Sequence, residues 1–344
     1  MDVSIARCGA ADIDDLIRFI EEQWKPGHIL VTERRLLDWQ YRDPDGSGYS
    51  FVLARRRQDS AVLGILGYIS ACRFDSALAR DNVIWLTTWK VRDDASVAGL
   101  GLQLLRYLTG AETHVAVGAV GLTPTTLPIY SALGYTVGEL QHYVHTNAAI
   151  DTFKLASFES RPAIAAHRAA PLETRRLTRD DDFGAIAWAL PDGRVPRKTP
   201  EYFCRRYARH PIYRYIVLAV LDGGAEAGLM AARIAEHGGR RALRIVDFLG
   251  ARDLLARTGP TVQALLEEFD AEYADVYNAG IDGEVFARAG FAPVDPEGAD
   301  VVPDHFEPFE RRNVRLWFAL KGPQPVLFKG DGDQDRPSLP QSAT

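Results

Sequence analysis

The 344-residue sequence is poor in cysteine and contains no long apolar run. Its three cysteines, Cys8, Cys72 and Cys204, are odd in number and far apart, which argues against a disulfide framework or a paired-cysteine zinc site. The longest apolar stretch, residues 61–72, is shorter than the roughly 18 residues that a membrane helix needs, so we expect no membrane span. The N-terminus lacks the basic start and apolar block of a signal peptide. These absences favour a reducing, cytoplasmic location.

The chain also lacks an excess of basic residues. It has 40 Lys and Arg against 46 Asp and Glu, a net charge of −6, whereas nucleic-acid-binding domains normally carry a basic excess. We therefore expect no nucleic-acid partner. Hydrophobic residues make up 47% and charged residues 25%, which is typical of a globular protein, and the length suits two domains of about 150 residues.

Strand-like and helical patterns are interleaved along the whole chain and predict an α+β fold. In the first half, the pattern predicts strands at 3–8, 49–55, 62–74, 83–91, 114–120 and 135–144, and helices at 11–24, 32–41, 99–108 and 126–133. In the second half, it predicts strands at 172–177, 215–221, 228–235, 242–249, 275–279 and 314–320, and helices at 181–190, 200–209, 262–273 and 283–289. Thr32 is the predicted N-cap of the second helix.

The similar order of elements in the two halves indicates an internal duplication. QYRDP at 40–44 resembles YARHP at 207–211, and IYSALGY at 129–135 resembles VFARAGF at 285–291. We predict an N-terminal domain at 1–156, a linker at 157–171 where alanine, arginine and proline replace the periodic pattern, and a C-terminal domain at 172–329. The polar tail at 330–344 is predicted to be disordered.

The stretch from 85 to 108 is the most informative for function. A strand runs into a loop, and Gly99-Leu100-Gly101 then opens an amphipathic helix. Glycine lets the backbone approach a ligand closely, and the free amides of a helix N-terminus, with its dipole, attract anions. The pattern is therefore consistent with a phosphate site, although an ordinary helix start would have the same glycines.

Together with the segment Ile129 to Tyr135, this stretch resembles the GNAT (N-acetyltransferase) superfamily of acyl-coenzyme A-dependent enzymes. In that family a strand ends in a valine-type residue, and a Gln/Arg-x-x-Gly-x-Gly/Ala loop follows it. Val91 lies eight residues before Gly99, and Gly99 and Gly101 match the two glycine positions, while Ser96 departs from the Gln/Arg position. Tyr130 and Leu133-Gly134-Tyr135 match a later family motif. The resemblance covers roughly residues 3–145.

The resemblance implies two tandem GNAT-like domains, each a mixed, mostly antiparallel sheet flanked by helices. It implies acetyl-coenzyme A or another acyl-coenzyme A as co-substrate in the N-terminal domain, with its pantetheine arm between residues 87–91 and 114–120, and no metal. The residues expected to bind the coenzyme are Trp89, Lys90, Val91, Ser96, Val97, Ala98, Gly99, Leu100, Gly101 and Leu102. Tyr130 would protonate the leaving thiolate. The second half lacks the Gly-x-Gly pair and has Phe286 at the tyrosine position, which suggests a degenerate copy.

The general base is left open. Glu139, His142 and His145 are the candidates, and a histidine with a pKa near 6.5 would suit the role. A strand residue facing water is the favoured interpretation of each, and a chain of waters is an alternative to a single base. His142 and His145 would face opposite sides of a strand, so a shared metal is not expected.

Two further charged groups receive a structural interpretation. Asp331, Asp333 and Asp335 imitate the start of a calcium loop, but Arg336 and Ser342 stand at its glycine and glutamate positions, so we expect a solvated tail. Arg205, Arg206 and Arg209 are expected on a solvated helix face, with an acceptor phosphate as the alternative ligand.

The resulting hypothesis is an N-acyltransferase acting on a small-molecule amine. An amino sugar, perhaps nucleotide-linked, is the first choice, since the chain resembles tandem family members found with bacterial polysaccharide-synthesis enzymes. The alternatives are a peptide, protein or aminoglycoside N-acetyltransferase and a non-catalytic coenzyme A-binding protein. The sequence leaves the oligomeric state open.

Overall fold

The computed structural model of the protein describes residues 2–162, 172–186 and 195–338. Its strands, in chain order, are β1 (Val3–Gly9), β2 (Gly48–Arg56), β3 (Val62–Ser70), β4 (Val83–Val91), β5 (Ala116–Leu122), β6 (Thr136–Thr146), β7 (Thr174–Arg176), β8 (Tyr215–Asp222), β9 (Ala225–His237), β10 (Arg240–Gly250), β11 (Ala271–Ala279), β12 (Ala292–Pro293), β13 (His305–Phe306), β14 (Phe309–Glu310), β15 (Leu316–Lys321) and β16 (Leu327–Phe328). Its α-helices are α1 (Ile13–Gln23), α2 (Ile29–Thr32), α3 (Arg34–Tyr41), α4 (Leu100–Ala111), α5 (Leu127–Ala132), α6 (Asp180–Gly184), α7 (Pro200–Phe203), α8 (Arg252–Ala256), α9 (Gly259–Glu268) and α10 (Gly283–Arg288).

A single mixed sheet runs through both halves of the described chain, in the order β1-β2-β3-β4-β5-β15-β6-β11-β10-β9-β8-β7. In the first half, β1 to β4 are antiparallel neighbours, and β4 then pairs with β5 in parallel, with α4 as the connection. In the second half, β7 to β10 repeat this order, and β10 pairs with β11 in parallel across α8 and α9. The predicted α+β fold of two tandem, mostly antiparallel halves is confirmed.

The two halves exchange strands where they meet. Strand β15, from near the end of the chain, lies between β5 and β6 in the sheet of the first half. Strand β6 pairs with β15 through residues 136–140 and with β11 through residues 141–146. The boundaries at 156 and 172 stay predictions, but a cut there would separate β15 from the sheet that contains it.

The strands of the first half are covered on both faces because their side chains alternate between two cores. On β2, Phe51 and Leu53 pack in the core that also contains Leu16 and Ile20 of α1. Val52, next to them, packs on the other side in a core with the leucines of α4. This second face matters for function, because it holds the start of α4 against β4.

Two predicted helices have different limits in the structure, one at its start and the other at its end. Thr32 is the last residue of the single-turn α2, and α3 begins at Arg34, so Thr32 is not the N-cap of α3. The helix predicted at 262–273 ends at Glu268, since Asp270 adopts a positive φ of 50° and reverses the chain into β11, which contains Tyr273. The helix predicted at 181–190 lies partly outside the described residues. None of the described helices is long and apolar enough to cross a membrane.

Candidate functional site

Strands β4 and β5 form a fork. Residues 83–85 of β4 pair with residues 116–118 of β5, and beyond Trp85 the two strands diverge. Beyond that point, β4 remains paired with β3 on its outer side, and β5 remains paired with β15. Trp85 packs at the base of the fork against Gly118, where a Cβ atom would lie 2.7 Å from the indole ring. The pantetheine arm was predicted between residues 87–91 and 114–120. The gap between the strands opens only beyond Trp85 and Gly118, because residues 116–118 are still paired with β4.

A cleft of about 900 Å³ opens from this fork. One wall is β4 with the start of α4, and the other is β5 with the start of α5. Of the residues predicted to bind a coenzyme, those that line the cleft are Trp89, Val91, Val97, Gly99, Leu100, Gly101 and Leu102. Lys90, Ser96 and Ala98 do not line it. Because side chains alternate between the two faces of a strand, Lys90 lies on the face opposite to Trp89 and Val91, and it pairs with Asp93. Ser96 and Ala98 are exposed in the loop.

The start of α4 points into the cleft because of its two glycines. Gly99 is the N-cap and has a φ of +66°, a left-handed conformation that glycine adopts without the usual Cβ penalty. At Gly101, a Cβ atom would lie 3.2 Å from Nε1 of Trp89, so the missing side chain makes room for the indole. The amides of Gly101 and Leu102 lie in the first turn and have no acceptor within the helix. The cleft therefore has a concentration of N–H donors and the positive end of a helix dipole.

Tyr130 lies on α5 at the opposite wall, and its side chain lines the cleft. It is buried, and its ring meets Trp89 and Tyr135 edge-on, with ring centroids 6.3 and 5.2 Å away. Burial, with a smaller contribution from Tyr135, raises the pKa of Tyr130 above its ordinary value. The phenol is therefore neutral over the physiological range and can donate a hydrogen bond into the cleft.

The structure does not bring the predicted bases to this cleft. Glu139 pairs with Arg315 at 2.8 Å near the surface. His142 is buried between Asp275, 3.1 Å from its Nε2, and the stacked ring of Tyr277. Burial lowers the pKa of His142, although Asp275 opposes the shift.

The reason is topological. Strand β6 leaves β15 for β11 after Leu140, and this carries His142 and His145 into the second half. His145 is buried there beside Phe291. Neither Glu139 nor His142 lines the cleft between β4 and β5.

The cleft instead receives residues from the end of the chain. We call residues 330–338 the C-terminal segment. The prediction of a disordered, solvated tail is wrong for these residues, while 339–344 lie outside the described part. Asp331, Asp333 and Asp335 are all buried. Asp333, Gln334 and Arg336 line the cleft beside the fork, and Gln334 donates a hydrogen bond of 2.9 Å to the carbonyl of Val120 on β5.

Buried cations hold the C-terminal segment in place. Lys198 lies 2.9 Å from Asp331, and Arg233 makes a two-pronged contact with Asp335 at 2.8 to 3.0 Å. Although burial opposes it, Arg233 holds the pKa of Asp335 well below its usual range. Arg206 is also buried, contrary to the predicted solvated face, and donates to the carbonyls of Gly330 and Gly332. Within the described residues, no group of three acidic, histidine or cysteine side chains is placed to hold a metal ion.

The corresponding place in the second half is occupied by the chain itself. Strand β16 pairs with the end of β11, and the amide of Gly330 donates to the carbonyl of Val246 on β10. The connection before α9 lacks the Gly-x-Gly pair, as noted from the sequence. In the described structure, the open fork therefore belongs to the first half.

Comparison with known proteins supports the fold. The sequence matches no protein-family model and no curated protein. Among solved structures, a GCN5-related N-acetyltransferase from Anabaena variabilis is similar at a TM-score of 0.55 and 12% identity, covering 93% of this chain and 72% of that one. Another, from Kribbella flavida, is similar at a TM-score of 0.50 and 13% identity, covering 93% and 70%. The chain thus has the fold of GCN5-related N-acetyltransferases over most of its length.

Proposed function

We propose that this protein is an N-acyltransferase that moves an acyl group from acyl-coenzyme A to an amine, with the donor in the cleft between β4 and β5. The observation that carries the proposal is the coincidence of three features. A fork exposes the inner edges of two strands, a glycine-started helix N-terminus faces the opening, and a buried tyrosine stands on the opposite wall. The N-acetyltransferase fold independently favours the same reaction.

The residues of the cleft suit a long donor with an anionic end. The amides of Gly101 and Leu102 would bind the diphosphate, since a helix N-terminus favours negative charge. The unpaired inner edge of β4 beyond Trp85 would hydrogen-bond the amides of the pantetheine arm, in the manner of an added strand. The acyl group would then point toward the base of the fork. Acetyl-coenzyme A is the donor that we propose.

Tyr130 would assist departure of the thiolate. A phenol with a pKa near 10 holds its proton more tightly than a thiol with a pKa near 8.5, and burial widens that gap. Full proton transfer from Tyr130 to the thiolate is therefore unfavourable unless the cleft raises the pKa of the thiol. Tyr130 serves best as a hydrogen-bond donor that stabilises developing negative charge on the sulfur.

For the acceptor we propose a small polar amine, with an amino sugar as the first choice. A second pocket of about 210 Å³, lined by polar and charged side chains, adjoins the cleft across Asp333, Gln334 and Arg336. Such a lining favours a hydroxylated amine over an apolar one. Peptides and aminoglycosides are competing acceptors. We also propose a cytoplasmic location, consistent with the free thiols of the three cysteines.

The test has a binding and a turnover part. Calorimetric titration with acetyl-coenzyme A should show one site per chain, and ADP, which lacks the pantetheine arm, should bind more weakly. Thiol release should then be followed with glucosamine, a short peptide with a free N-terminus and an aminoglycoside as acceptors. Failure to bind acetyl-coenzyme A at millimolar concentration would rule out the proposed function. Turnover with the peptide alone would replace the proposed acceptor.

A further inference from the structure

The C-terminal segment contains three aspartates at alternate positions, and two of them have a structural explanation. Asp331 lies 2.9 Å from the buried Lys198, which also binds Asp247, and Asp335 pairs with the buried Arg233. Ion pairs of this kind gain little net stability after desolvation, but losing one partner is costly because the other charge is left buried. The two pairs therefore fix the backbone on either side of Asp333.

Asp333 has a different environment. Only 7% of the residue is exposed, yet it lines both the cleft and the second pocket. Its nearest cation is Arg336, with 3.4 Å between Nη1 and the carboxylate, and Gln334 contacts it at the same distance. Nη1 of Arg336 is buried and has no hydrogen-bond partner among the described residues. This corner of the cleft thus holds a carboxylate and a guanidinium donor that are not engaged in a close pair.

The neighbours of Asp333 place it at the base of the fork. On one side, a Cβ atom on Gly332 would lie 3.8 Å from the Cβ of Trp85, where the pairing of β4 and β5 ends. On the other side, Gln334 binds the carbonyl of Val120. Burial and then the Asp333 carboxylate raise the pKa of Tyr41 to about 12. Arg336 and Arg206 are charged neighbours of Asp333. The second pocket, which Asp333 also lines, contains further charged side chains: Arg233, Arg244, Asp304, Glu307 and Lys329.

We propose that Asp333 is the base that removes a proton from the acceptor amine, and that the amine reaches the thioester from the second pocket. This inference rests on the proposed function. The base of the fork is where the acyl group of a donor lying along β4 would end, and Asp333 separates that point from the second pocket. Glu307 also lines the second pocket, but it does not line the cleft, so it can contact an acceptor only on the far side.

The reaction then balances without a further reactant. An acceptor ammonium gives one proton to the Asp333 carboxylate, and the neutral nitrogen attacks the thioester carbonyl carbon. A C–N bond forms and the C–S bond breaks, the electron pair leaving on sulfur, near Tyr130. The thiolate takes up a proton as the amide nitrogen loses its second one, and Asp333 returns its proton to solvent through the second pocket.

The test compares Asp333→Asn and Asp333→Glu with the wild type, using acetyl-coenzyme A with glucosamine and, separately, water as the acceptor. General-base loss should lower kcat of Asp333→Asn by roughly 10²- to 10⁴-fold. The dissociation constant for coenzyme A should change by no more than about twofold, since the carboxylate acts on the acceptor. Asp333→Glu, which keeps a carboxylate at this position, should recover part of the rate lost in Asp333→Asn. Asp222→Asn, an exposed change that breaks a pair with Arg257 far from the cleft, is the matched control.

The outcomes separate this inference from the proposed function. Turnover by Asp333→Asn at the wild-type rate overturns the role of Asp333 and leaves the acyltransferase intact. An equal fall in rate, coenzyme affinity and thermal midpoint in that variant shows a structural role and also overturns it. The wild type could also bind acetyl-coenzyme A but release no thiol with any acceptor, including water. That result contradicts the inference and leaves the proposed donor site standing. Absence of donor binding in the wild type removes both proposals.

Discussion

Tyr130 is buried, and its side chain lines the wall of the cleft. Its hydroxyl needs only to donate a hydrogen bond for the mechanism proposed here, and the ring has the separate task of packing against Trp89 and Tyr135. A change that removes the hydroxyl and keeps the ring can therefore separate the two tasks.

Tyr130→Phe should lower kcat by roughly 10- to 100-fold, less than loss of a full general acid, with coenzyme A affinity almost unchanged. Because burial raises the pKa of Tyr130, its hydroxyl stays protonated through pH 9. The wild-type rate should thus show no descending limb from Tyr130 between pH 7 and about 9. Steady-state thiol release across that range checks both statements. A variant as fast as the wild type would show that the hydroxyl has no part in the reaction.

Residues of the site differ in how far the sequence could predict them. Trp89, Gly99, Gly101 and Tyr130 lie within two short motifs whose order and spacing are visible in the chain, and the structure places all four on the cleft. Asp333 gave no such signal, because the cation partners of the aspartates beside it lie about 100 residues or more earlier in the sequence. A polar run that pairs with distant buried cations looks the same, in sequence, as a solvated tail.

At the level of elements, helix α4 has one glycine at its N-cap and two within the helix, and the three have different surroundings. Gly99 has a positive φ, Gly101 touches Trp89, and Gly110 has open space where a Cβ would be placed. The first two shape the cleft and the third does not, which provides a matched set of substitutions within a single helix.

Gly101→Val should weaken acetyl-coenzyme A binding at least about tenfold, since its side chain would displace the Trp89 indole from the cleft wall. Gly99→Ala should cost about 1 to 2 kcal/mol of unfolding free energy, the penalty for a Cβ in the left-handed region. Gly110→Ala should instead stabilise the helix by up to about 1 kcal/mol and leave binding alone. Calorimetric titration and urea unfolding measure the two effects. Equal affinity in Gly101→Val and Gly110→Ala would contradict the assigned donor site.

Secondary structure could be predicted where local sequence determines it and not where contacts with distant residues do. Strand β4 was predicted to the residue, and β2, β8 and α10 to within a residue or so, because apolar periodicity and turn residues specify them locally. The end of α9 was missed because Asp270 supplies the left-handed turn that glycine usually provides. The place of β15 depends on pairing with β5 and β6, nearly 200 residues away, and nothing in its own sequence encodes that choice.

For the molecule as a whole, the exchange of strands makes the halves interdependent. Without β15, the inner edges of β5 and β6 would be unpaired, and an exposed strand edge is prone to association. Without the C-terminal segment, the base of the fork would lose Asp333, Gln334 and Arg336 from its wall. The cleft proposed to bind the donor is thus built from both halves of the chain, although its recognisable motifs all lie in the first half.

This interdependence predicts how the protein behaves when its chain is cut between the halves. A protease site placed at 163–171, inside the predicted linker at 157–171, should yield two fragments that stay together during size-exclusion chromatography in native buffer. They are expected to do so because β6 pairs with β11 and β15 pairs with β5 and β6 across the cut. The cut removes one covalent connection and leaves the paired strands, so the affinity for acetyl-coenzyme A should stay within about twofold of that of the uncut chain carrying the same site. Fragments that separate without denaturant would show that the shared sheet does not hold the halves together, and the cleft would then have to be complete within the first half alone.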